Sequence, residues 1–104
     1  MPPEPRIQQL RTRIGERQWR IAFVRACDLP KDTVGLCDHP PGRHPTIKVR
    51  RSLSSQALLD VVVHELLHAV RPEMSEEAVT DTATTIARVL HRLGARITPP
   101  PPSA

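Results

Sequence analysis

The chain has 104 residues, a net charge of +4 and 38% hydrophobic residues, so it builds one domain with a modest core. Aromatics are only 2%, Trp19 and Phe23 with no tyrosine, which argues for an aliphatic core and against a base-stacking surface for single-stranded nucleic acid. No apolar run approaches the ~20 residues that cross a bilayer, so no membrane partner is expected. The start, Met1-Pro2-Pro3-Glu4-Pro5-Arg6, has no apolar signal core, and the expected location is cytoplasmic.

The chain divides by composition into an N-terminal segment over 1–18, a folded domain over 19–94 and a Pro-rich tail over 95–104. In the first segment Ile7, Leu10 and Ile14 recur at helical spacing and suggest a short helix. Trp19–Val24 alternates and reads as a strand. Leu29-Pro30-Lys31-Asp32 is turn chemistry, and Thr33–Cys37 reads as a second short strand. The run His39–Pro45 holds three prolines, each without a backbone donor, and reads as a loop. Thr46–Arg50 alternates again, as a third strand.

The period then changes. Ser54 or Ser55 can cap a helix on which Leu58, Leu59, Val62, Leu66, Ala69 and Val70 share one face, and Pro72 stops it. Ser75 is an N-cap for a second helix, with Glu76 and Glu77 in its positive first turn. Val79, Ile86, Val89, Leu90 and Leu93 form its apolar stripe, and Gly94 is a natural residue just past its end. Pro99–Pro102 predicts an extended, disordered end. The fold class expected is therefore α+β, three short strands followed by two helices.

The chemistry lies in Val63-His64-Glu65-Leu66-Leu67-His68. Histidines at i and i+4 share a helix face, so His64 and His68 can reach one metal. Glu65 sits about 100° round the helix, free to lean toward a metal-held water without ligating the metal. Zinc on two imidazoles and one carboxylate keeps a position for water and lowers its pKa. The third ligand is expected from the second helix, across the turn at Arg71–Pro72. Glu77 is the first choice, with Glu76 and then Glu73 as alternatives. Asp81, one turn beyond Glu77, can accept the outer N–H of a ligand histidine. His39 and His44, in the Pro-rich loop, are candidate helpers for an oxyanion.

Cys27 and Cys37 stand ten positions apart and read as free thiols; with His39 and His44 they match no familiar zinc spacing. The positive residues, nearly all arginine, are scattered along the chain and form no stripe in the sequence.

His64-Glu65-Leu66-Leu67-His68 followed by Glu77-Ala78-Val79-Thr80-Asp81 resembles the gluzincin arrangement of zinc metallopeptidases. The order of elements also resembles the minimal metallopeptidase domains of phage and prophage genes, most strongly over residues 46–94. The resemblance implies a zincin-like domain that hydrolyses peptide bonds, with zinc as cofactor. His64, His68 and Glu77 would be ligands, Glu65 the general base and Asp81 the support of a ligand histidine. It also implies that Val34, Gly35, Leu36 and Cys37 bind the substrate backbone as an added strand. The partner is then a peptide or protein. Two other readings remain open: a non-catalytic zinc-stabilised interaction module, and a metalloprotease that works on DNA-associated proteins.

Overall fold

A computed structural model describes residues 9–99. The order of elements is β1 (Gln9–Ile14), β2 (Arg17–Val24), a short 3-10 turn (Ala26–Asp28), β3 (Gly35–Cys37), β4 (Thr46–Arg50), α1 (Ser55–Val70) and α2 (Glu76–Arg92). This is an α+β domain with one four-stranded sheet in the order β1-β2-β4-β3. β1 and β2 form an antiparallel hairpin, β2 runs parallel to β4, and β3 is antiparallel to β4 at the edge.

The alternation of the strands decides which way the sheet faces. Trp19 and Ile21 on β2, and Ile47 and Val49 on β4, are buried and meet Leu58 of α1 in the core. Phe23, Val62, Leu66 and Ala69 pack around them. The period-two pattern of Thr46–Arg50 thus gives the strand anticipated from sequence, with the same limits.

Residues 9–14 are a strand, and the short helix expected in 1–18 is not found there; residues 1–8 lie outside the described part. Spacing at 10 and 14 fits both periods, because positions four apart also share a strand face. A tight turn settles it: Gly15 has φ +62°, and β2 then supplies a ladder from Gln9↔Ala22 to Ile14↔Arg17. The folded body therefore begins before Trp19, and the sheet has four strands where three were expected.

Both helices start and stop where their signals fall. Ser54 precedes α1, and Ser75 Oγ accepts the Ala78 N–H at 3.1 Å at the start of α2. Gly94, with φ +96°, follows α2 and donates to the His91 carbonyl. The packing of α2 differs from its expected stripe. Its buried residues are Val79, Ala83 and Ala87, and it packs chiefly against α1, not against the sheet. Ile86, Val89, Leu90 and Leu93 are left exposed. Alanines on the seam let two helix backbones approach closely, and that close approach outweighs the larger side chains. Thr84 Oγ1 donates to Asp60 Oδ2 at 3.2 Å across the same seam.

The start of the Pro-rich tail is attached. Ala95 N–H donates to the Leu90 carbonyl, Arg96 reaches the His91 carbonyl at 3.0 Å, and Ile97 packs on the core. Residues 100–104 lie outside the described part. No helix among the described residues is long and apolar enough to cross a membrane.

Candidate metal centre

The middle of α1 carries its polar face toward the edge strand β3 and the start of α2. His64 and His68, one turn apart, bring their Nε2 atoms to 3.3 Å from each other. Each of these nitrogens also lies 2.8 Å from one oxygen of Glu76, Oε1 for His64 and Oε2 for His68. Two imidazoles and a carboxylate from two helices therefore converge on one point. Glu65 completes the cluster: His64, Glu65 and His68 offer ligand atoms all within 4.8 Å of one another.

The acid against the imidazoles is Glu76, the alternative in the sequence reading, rather than Glu77. Neighbouring residues point about 100° apart on a helix, so only one of the two can aim across the hairpin. Among the described residues Glu77 and Asp81 make no contact with either ring; both are exposed. Glu73, the other alternative, pairs instead with Arg71 at 2.7 Å. The hairpin turn itself is short, with Met74 N–H donating to the Arg71 carbonyl at 3.0 Å, and this fixes which residue of α2 meets His68.

Glu65 is the only charged residue buried among those described, at 7% exposure. Burial pushes its carboxyl above the ordinary range; the two imidazoles pull it back and Glu76 pushes it up again. Its neighbour on the sheet is Gly35. A Cβ there would sit 2.5 Å from Val61 Cγ1 and 3.0 Å from Glu65 Oε2, so glycine alone lets β3 lie against α1. What approaches Gly35 from the helix is the side chains of Val61 and Glu65.

A cavity of about 450 Å³ opens over the cluster, lined on one side by Gly35, Leu36 and Cys37 of β3 and on the other by Pro72 and Met74. His39 also reaches it, whereas His44 lines a different hollow. Val34 lies on the far flank of Gly35, where its carbonyl accepts from Arg50 N–H at 2.9 Å. Met74 is a lining residue with no sequence signal beyond its place in the turn. Cys37 and Cys27 are free thiols, as expected. Burial, then the charges of Glu65 and Asp38, push the Cys37 thiol up to about 12, so it stays protonated at neutral pH.

The donors fit a small divalent cation. Two nitrogens bound tetrahedrally at ~2.0–2.1 Å stand about 3.3 Å apart, the separation found here between the imidazoles. His64, Glu65 and His68 form a group that could hold a metal ion, and its mixed nitrogen and oxygen donors are borderline in softness. No family model, curated protein or solved structure matches the chain.

Proposed function

We propose that this protein is a zinc-dependent metallopeptidase, with His64, His68 and Glu76 as the ligands and Glu65 as general base. One observation carries the reading: two imidazole Nε2 atoms 3.3 Å apart share a carboxylate from the next helix, beside a buried glutamate. The resemblance of His64-Glu65-Leu66-Leu67-His68 to the gluzincin motif supports the same assignment.

When bound, zinc supplies a Lewis acid that polarises a carbonyl and makes water acidic enough to attack near neutral pH. The protein's own groups do the rest. Glu65 takes the proton of the attacking water on its carboxylate and passes it to the amide nitrogen as the C–N bond breaks. Among the described residues β3 has a free edge, because it is the outermost strand and pairs only with β4. An extended peptide added along Val34–Cys37 would gain main-chain hydrogen bonds there and lie across the cavity beside Glu65.

The test is metal content and hydrolysis of a quenched peptide library, for the wild type and Glu65→Gln. Both should carry one zinc per chain, and Glu65→Gln should lose roughly 10²–10⁴-fold in rate. Absence of zinc at stoichiometric level overturns the site. Zinc without cleavage overturns the peptidase and leaves a non-catalytic zinc module.

A further inference from the structure

Residues far apart in the sequence meet on the outer face of the sheet. Trp19, Ile21, Ile47 and Val49 turn into the core, so their neighbours Arg20, Lys48 and Arg50 project on the opposite side. The hairpin register adds Arg11, directly opposite Arg20, and Arg13, opposite Gln18. Among the described residues none of these five cations pairs with a carboxylate. Arg13 donates to the Gly15 carbonyl and Arg50 to Ser52 Oγ. Asp28, whose carboxyl Lys48 helps to lower, is engaged by Arg25 at 3.3 Å, and Asp38 accepts from Thr46 N–H at 2.9 Å. At one end of the face Arg17 and Arg43 join Arg11 and Arg20 round a hollow of about 320 Å³. Arg17 is held there by the Gly42 carbonyl at 2.9 Å.

Like charges directly opposite in an antiparallel pair destabilise it, so Arg11 facing Arg20 is a cost the free protein bears. A polyanion relieves it. The cations span three strands, each about 4.8 Å from the next, which is too broad for a single anion and suits a regular array of them. Arginine's planar fork matches phosphate two bonds at a time. The face offers no aromatic ring: Trp19 is buried and Phe23 packs on the core. Single-strand binding by base stacking therefore has no platform. We propose that the outer sheet face binds duplex DNA through its phosphate backbone, without reading base sequence. The proposal does not rest on the metal centre, and the metal-free chain should show it.

The experiment is fluorescence anisotropy of the full chain with a labelled duplex, at several salt concentrations. Four or five phosphate contacts predict a slope of about −4 in log K against log salt, and roughly 250-fold weaker binding at 200 mM than at 50 mM. Arg20→Glu with Lys48→Glu should abolish binding. Arg88→Glu with Arg92→Glu, the same charge change on exposed positions of α2, should leave it within twofold. Arg11→Gln separates binding from folding. It should raise the melting temperature of the free protein by relieving Arg20, yet lower the salt slope by roughly 1. Equal loss in the α2 control, tighter binding to single strands than to the duplex, or equal binding of polyglutamate would each overturn the proposal.

Discussion

α1 and α2 have almost the same length and use their residues in opposite senses. α1 buries a glutamate: Glu65, at 7% exposure, lies inside while the helix packs on the sheet through Leu58, Val62 and Leu66. α2 does the reverse, leaving Val89 at 50% and Leu93 at 78% exposure while alanines fill its seam. The difference shows where geometry outranks burial. On α1 a polar group is kept from water because it sits behind the edge strand, beside the two imidazoles. On α2 Val79, Ala83 and Ala87 fill the seam, and Glu76 at the start of the helix reaches the two imidazoles of α1.

That contrast can be broken at its tightest point first. Gly35→Val drives a side chain into Val61 and Glu65, and should cost about 3 kcal/mol in urea unfolding. A silent substitution would mean that α1 is not pressed against β3. Glu76→Gln against Glu77→Gln tests the register of α2. The first should weaken zinc at least tenfold in a competition titration, about 1.4 kcal/mol, and the second should leave it unchanged.

The buried charge on α1 has a pH signature. The folded carboxyl of Glu65 is raised, so its contribution is favourable below the ordinary glutamate range and is lost as pH climbs through the raised value. Metal-free wild type should therefore fall behind Glu65→Gln in urea midpoint as pH rises from about 4, and match it below. A gap that narrows with rising pH would contradict the burial. The smallest effect belongs to the outer side of α2: Leu93→Glu should change stability by less than about 0.5 kcal/mol.

Much of this was legible from local signals. The alternation of Thr46–Arg50, the serines before each helix and Gly94 after the second act within a few residues of themselves. His64 and His68 were legible because a four-residue spacing fixes a shared helix face. The exchange of Glu77 for Glu76 was not, because it depends on how the turn at Arg71–Met74 sets the second helix against the first. The strand at Gln9–Ile14 was hidden because its partner lies beyond a turn, and the seam of α2 because alanine adds little to a hydrophobic pattern. Arg11, Arg20 and Lys48 look scattered until strand register sets them side by side.

α2 rests chiefly on α1, and the chain beyond it is tied back to the core of the sheet through Ile97. Across the turn at Arg71–Ser75 the first turn of α2 meets α1 through Glu76 and the two rings. A cation gripped from both helices would then act as a clasp, so that losing it loosens the hairpin before it melts the domain. Chelation should speed amide exchange along the first turns of α2 while β2 and β4 stay protected.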